Sequence, residues 1–445
     1  MNCDLLILDG CLLAEDGAVL RGMAVAVTGG EITEVLPAAQ AAEKYQARET
    51  VPAEGNLILP GFVDAHTHTC QQLLRGRTTD EYPMIWTRFL VPFEGSLTAQ
   101  DVRVSAQLAC LEMIKAGFTS FADAGGTHMN QVAESVIESG MRAALCRSTM
   151  DMGAAIPDGM KESCDDNLRH AEELYRAYQG AGNGRVDIWF GLRQVMTCSP
   201  ELVRRTGELA REYHTGIHAH LCEHKDEVSF CLQNYKKRPA AFLEEMGVLG
   251  PNLLTAHNVT LSESDITLMV RREVKFVHCP RANLSNHGFP KTPRILECGG
   301  EIGIGCDGAS GVALDMFDQL RTLKDGVLAF WGLPVFDPVV LPTRELLKMS
   351  SLGGAAAIGR KDSLGSVEAG KKADLIIINI HQPHLLPSQN LANTLLAGAS
   401  GRDVTDSVIN GRVVMRGRHV LTLDEEKIMA DSTRHMAEIV SRAGI

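Results

Sequence analysis

Two histidines one residue apart, His66 and His68, stand at the end of the apolar stretch Leu59-Pro60-Gly61-Phe62-Val63-Asp64-Ala65-His66-Thr67-His68. On a strand alternate side chains share a face, so the two imidazoles point the same way and can grip one metal ion. A His-x-His pair is common by chance and carries little alone. Here it is repeated in kind: His218-Ala219-His220-Leu221-Cys222-Glu223, Thr255-Ala256-His257-Asn258 and Gly305-Cys306-Asp307-Gly308-Ala309-Ser310 each lie near the end of an apolar run. His66, His68, His220 and Asp307 would give one divalent ion three imidazoles and a carboxylate, with a position left for water. Such an ion lowers the pKa of water from 15.7 towards about 7, which is hydrolytic chemistry at neutral pH. Asp307 can also take a proton from the water, Glu223 can carry protons to a substrate, and His257 can hydrogen-bond the attacking oxygen or polarise the bond being broken.

Those residues need elements that bring them together. Apolar strands alternating with helical patterns fill the middle of the chain, with strand ends expected near His68, Asp123, Arg147, Arg193, His220, His257, Cys279 and Asp307. Eight βα units suit a (β/α)8 TIM-type barrel, whose chemistry sits at the C-terminal ends of its strands. The span from Ala99 to Ala116 reads as a barrel helix stopped by Gly117, and 76–98 is long for a βα loop and reads as a lid carrying Trp86. Short β-like runs occur at both chain ends, with an Asn410-Gly411 hairpin signal in the later set. The expected layout is therefore an α/β fold: a smaller β-sandwich domain from 1–58 and 361–422, a barrel over 59–360, and a C-terminal helix over 423–445.

The chain has 445 residues, 45% of them hydrophobic, and a formal net charge of -12. That charge argues against nucleic acid as a partner. No apolar run approaches the roughly 20 residues of a membrane span, and no basic segment leads an apolar core at the N-terminus, so a cytoplasmic protein is expected. Twelve cysteines without a Cys-x-x-Cys pair read as reduced packing thiols, those beside the site (Cys70, Cys222, Cys279, Cys306) included.

Taken together these motifs resemble the amidohydrolase superfamily, and within it the deaminases of the S-adenosylhomocysteine/methylthioadenosine deaminase and triazine hydrolase group. The resemblance is carried by Pro-Gly-Phe-Val-Asp-Ala-His-Thr-His at the first barrel strand, His-x-His-x-x-Glu at the fifth, Thr-Ala-His at the sixth, His278-Cys279-Pro280-Arg281-Ala282-Asn283 at the seventh, Asp307-Gly308-Ala309-Ser310 at the eighth, and the return Ser363-Leu364-Gly365 to Ala373-Asp374-Leu375. It implies zinc, or iron, on His66, His68, His220 and Asp307, with Glu223 and His257 assisting, and a homo-oligomer of two or more chains. Relatives with two metals use a bridging carboxylated lysine at the fourth strand end. Arg193-Gln194 stands there instead, and arginine cannot be that bridge, so one metal is expected.

The resemblance implies hydrolytic removal of an exocyclic amine from a purine-, pterin-, pyrimidine- or triazine-like heterocycle. Loss of chloride or alkylamine from a triazine, and deamination of a true S-adenosylhomocysteine or methylthioadenosine substrate, are the alternatives. Adenosine-type members carry an acid two places before the loop tryptophan; Met84 stands there, and a methionine cannot accept from a ribose diol as a carboxylate does. Trp86 is expected over the ring face, with Arg193 or Gln194 on a ring carbonyl or carboxylate and Asn283 also at the substrate; for Arg193 a structural ion pair is the other role.

Three further patterns are set aside. His220-Leu221-Cys222-Glu223-His224 spells His-x-x-Glu-His of a metalloprotease but sits on strand-like spacing. Gly303-Ile304-Gly305-Cys306-Asp307-Gly308 matches Gly-x-Gly-x-x-Gly but lies late in a barrel with an acid inside it, and the Pro-Cys-x-x-Cys of cytidine-type deaminases is missing. A non-catalytic metal-binding scaffold leaves Glu223 without a purpose. His218 and His278 read as supports of the site, and His128, His170, His214, His224, His287 and His435 as surface or packing histidines.

Overall fold

The computed structural model describes the chain except residues 15–16, 82–84, 154–155, 310 and 445. Eight parallel strands follow one another round a barrel: Phe62–His68, Phe118–Asp123, Arg142–Cys146, Val186–Leu192, Ile217–Leu221, Leu253–His257, Lys275–His278 and a broken eighth made of Ile302–Ile304 and Asp307–Gly308. The two pieces of the eighth strand close the circuit. Ile302–Ile304 pairs with the seventh strand and Asp307–Gly308 with the first. Every residue of the first strand is buried, as expected of a parallel strand covered on both faces.

All eight strand ends fall within one residue of the expected positions. The helix Ala99–Lys115 begins with a capping box in which the Thr98 hydroxyl and the Asp101 carboxylate satisfy each other's backbone N–H groups. The 76–98 stretch holds a π-helical turn, Trp86–Leu90, and the short helix Val91–Ser96. From Trp86 to Ser96 it is folded, not a bare loop.

The second sheet draws strands from both chain ends, Asn2–Leu13, Val19–Thr28, Glu31–Pro37, Gln46–Pro52 and Leu57–Pro60 joining Leu375–Ile378, Val404–Ile409, Arg412–Arg416 and His419–Val420. The stretch read above as one strand into the histidines is in fact two. Leu57–Pro60 pairs antiparallel with Leu375–Ile378 in the small sheet, and only Phe62–His68 belongs to the barrel. Gly61 makes the change of sheet: its N–H donates to the Asp374 carbonyl, and a Cβ there would lie 2.1 Å from the Thr119 hydroxyl oxygen. The C-terminal helix Glu425–Ala443 lies on Ala99–Lys115, tied by His435 Nδ1 to Asp101 Oδ1 at 2.7 Å.

Candidate active site

His66 and His68 leave the first strand, His220 the fifth, and Asp307 the break in the eighth, so all reach the same mouth of the barrel. One nitrogen of each of His66, His68 and His220 lies within 4.8 Å of the others. His68 Nε2 and His220 Nε2 are 3.2 Å apart, and Asp307 Oδ1 stands 3.7 Å from Nε2 of both His66 and His68. Ligands at 2.0–2.2 Å round one tetrahedral ion lie roughly 3.3–3.6 Å from one another, so this donor set fits a single divalent ion. A buried donor aimed into the set supports the fit: His66 Nε2 has no hydrogen-bond partner, while its Nδ1 is held by His218 Nε2 at 2.7 Å. Metal-ligating histidines characteristically have the far nitrogen fixed in this way. Burial first, and then the neighbouring histidines with Arg193 at His68 and His220, hold His66, His68 and His220 well below the usual histidine range. They are neutral imidazoles, the ligand form.

Support below the cluster comes from residues that sequence reading did not single out. Asp64 Oδ1 accepts the N–H groups of His66 and Cys306, tying the first strand to the eighth. Asp123 accepts from the Thr69 hydroxyl and N–H and from Gly125 N–H, fixing the turn that follows His68. The eighth strand passes so close over the first that a Cβ on Gly305 would lie 2.8 Å from His66 Cβ. Backbone strain gathers here: Cys222, His257, Asn258 and Asp307 all have left-handed φ, between 53° and 75°. Each such residue costs about 1–3 kcal/mol and persists only where its surroundings hold it.

Glu223 follows Cys222 out of the fifth strand. Its Oε1 stands 3.8 Å from His257 Nε2 and 2.9 Å from His287 Nε2. Burial would raise its carboxyl, but the facing His257 and His287 outweigh burial and hold it well below the usual range. His257 is set by Asn283, which is fully buried. Cys279 N–H donates to Asn283 Oδ1, which turns the amide nitrogen towards His257 Nδ1 at 3.0 Å. The His257 proton then resides on Nε2, and that nitrogen has no hydrogen-bond partner.

The expected substrate residues are placed differently from one another. Asn283, expected at the substrate, has its amide engaged behind His257. The two terminal nitrogens of Arg193 donate to the two oxygens of Glu94 at 3.0 and 3.2 Å, with Arg193 4% and Glu94 0% exposed, so it takes the ion-pair role. Trp86 is half-buried and packs on Val91, Met150, Ile156 and Met160. Gln194 is buried and its carbonyl accepts from Thr197. Met84 and Ser310 lie outside the described residues. His287, read above as a surface or packing residue, is the principal functional candidate that was missed; its signal was the i, i+4 spacing from Asn283. A cavity of about 1530 Å³ between the small sheet and the barrel helices contains none of these groups.

A barrel with imidazoles and carboxylates gathered at its C-terminal mouth defines a hydrolase class. A sequence model of the Amidohydrolase family matches residues 57–414, and the chain belongs to that family. It is 35% identical to the 5-methylthioadenosine/S-adenosylhomocysteine deaminase of Pelotomaculum thermopropionicum over 99% of both chains. It is 33% identical to the 5'-deoxyadenosine deaminase of Methanosarcina acetivorans over 96% of each. The structure of an adenosine deaminase from Xanthomonas campestris with bound zinc superposes with a TM-score of 0.92 at 29% identity, covering 99% of both chains.

Proposed function

We propose that this chain is a hydrolytic deaminase with one zinc ion on His66, His68, His220 and Asp307, releasing ammonia from an amino group on a flat nitrogen heterocycle. The observation that carries the reading is the meeting of two sets at one barrel mouth: three neutral imidazoles with Asp307, and the Glu223–His257 pair facing them. The ion would supply Lewis acidity that brings the pKa of water near 7. Asp307 accepts a proton from the attacking water. Glu223, ionised in the free enzyme, takes up the other proton of that water and passes it to the ring nitrogen beside the reacting carbon. His257 offers its Nε2–H to the attacking oxygen as charge builds there. The proton on Asp307 goes to the departing amine, so that water and the amino compound become ammonia and a ring carbonyl.

The named relatives favour an adenosine with a modified 5' position as the first substrate to try, ahead of aminopurines, pterins, aminopyrimidines and aminotriazines. The protein works in this reading as a cytoplasmic homo-oligomer, and among the described residues no helix is long and apolar enough to cross a membrane. Ammonia release across that panel, with zinc-loaded and iron-loaded protein side by side, tests the function. Glu223→Gln is expected to keep its metal and lose at least 100-fold in kcat, the scale of a positioned acid–base group. Turnover that survives Glu223→Gln, or a panel with no ammonia at all, would overturn the reading.

A further inference from the structure

The His287 ring is only 14% exposed and its Nε2 lies 2.9 Å from Glu223 Oε1. The geometry that brings it there is local. The two-turn helix Pro280–Asn286 starts on a proline after the seventh strand, and Asn283 and its C-terminal cap His287 are four residues apart. Residues at that spacing share a helix face. One of the two engages His257 Nδ1 and the other Glu223 Oε1, so a single helical turn sets both members of the proton-handling pair. The His287 N–H donates to the Asn283 carbonyl at 2.8 Å, which closes the turn.

We infer that His287 is a positioning residue for Glu223: its Nε2–H holds Oε1 of the carboxylate, leaving Oε2 as the oxygen that takes and gives the proton. This rests on the role given to Glu223 above. Several charged or titratable groups act on that carboxyl: His257, His287 and His220 draw it down, and Glu227 and Asp307 are acidic neighbours that resist ionisation. Of the groups named, His287 is the one within hydrogen-bond distance. The pairing is mutual, because the Glu223 carboxylate outweighs burial and raises the His287 imidazole above its ordinary value.

Two readouts test this on zinc-loaded protein. In the first, the His287 imidazole is titrated by nitrogen NMR in the wild type and in Glu223→Gln. It is expected to titrate above an ordinary histidine in the wild type and to fall in the variant; an unchanged titration overturns the proposal. In the second, His287→Leu and His287→Gln are compared with the panel substrate turned over fastest. His287→Leu is expected to lose about 10- to 100-fold in kcat, as supporting partners of active-site groups do, with KM and zinc content held. The acidic limb of its pH profile should move to higher pH as Glu223 becomes a weaker acid. His287→Gln keeps an N–H donor and should regain most of kcat. Equal losses in the two variants with an unmoved limb mean packing alone and overturn the proposal. Loss in Glu223→Gln with no effect of His287→Leu also defeats it, whereas full turnover in Glu223→Gln defeats the underlying function instead.

Discussion

Two buried arginine–carboxylate pairs are built almost alike and serve different ends. At the junction of the two sheets Arg142 donates through Nε and a terminal nitrogen to Asp374 at 3.0 and 3.2 Å, and Asp374 also accepts the Asn410 N–H at 2.7 Å. Near the site Arg193 donates to Glu94 at 3.0 and 3.2 Å, and Glu94 also accepts from the Gln71 amide at 2.7 Å. In both, burial works against the charge on the arginine and the carboxylate outweighs it. The first joins a barrel strand to the residue whose carbonyl receives Gly61 N–H, so it fastens the point where the chain changes sheets. The second fixes the Val91–Ser96 helix and the turn after His68 against the fourth strand end, and its positive field reaches His68 and His220. Equal geometry therefore predicts equal stability and unequal influence on chemistry.

The comparison breaks most plainly if one partner is removed. Glu94→Gln leaves a buried guanidinium without its counter-charge beside the histidines. It is expected to cost about 3–5 kcal/mol in urea unfolding and to lower turnover per folded molecule. Asp374→Asn should cost a similar 3–5 kcal/mol with turnover per folded molecule unchanged; a fall in turnover as large as that of Glu94→Gln would erase the distinction. Replacing both members of the junction pair, Arg142→Met with Asp374→Leu, should recover most of the loss, because what destabilises is the unpaired charge and not the missing bond.

A buried carboxyl with no arginine opposite sharpens the contrast. Glu227 is 1% exposed, its Oε1 is without a hydrogen-bond partner, and burial, then repulsion from Glu223, push its carboxyl up to about 8. The unfolded chain releases this proton above the ordinary value of 4.5 and the folded chain only near 8, so the unfolded state binds fewer protons in between. The Glu227 contribution to stability is therefore full below 4.5 and is lost as pH rises towards 8. Glu227→Gln should gain melting temperature relative to the wild type between pH 5.5 and 8.5, and parallel melting curves across that range would refute the assignment. The smallest effect belongs to an exposed pair. Arg204→Ala, which breaks a helix-surface contact with Glu208, should shift stability by no more than about 0.5 kcal/mol.

Much of the barrel was legible because its signal is periodic. All eight expected strand ends lie within one residue of the observed ones, since a strand buried on both faces must be apolar and must stop where the chain meets the mouth. His66, His68, His220, Glu223, His257 and Asp307 were legible for the same reason, each standing at or just beyond the C-terminal end of a barrel strand. The Leu59–His68 stretch was misread as one strand because Pro60-Gly61 interrupts its apolar pattern without ending it, and only pairing to Leu375–Ile378 shows that the sheet changes. Arg193 and Asn283 were drawn towards substrate by residue type. Their buried partners, Glu94 and His257, lie 99 and 26 residues away, and no spacing rule reports such pairs.

The sequence by itself determined the βα rhythm, the donors at the strand ends and the hydrolytic chemistry they imply, because these follow from local pattern and side-chain type. The tertiary structure decided which polar groups face one another across the barrel. It placed His218 behind His66, Asn283 behind His257, Glu94 against Arg193 and His287 on Glu223. The physical reason is that a buried polar atom must find a partner, and which partner it finds depends on the closure of the barrel and not on distance along the chain.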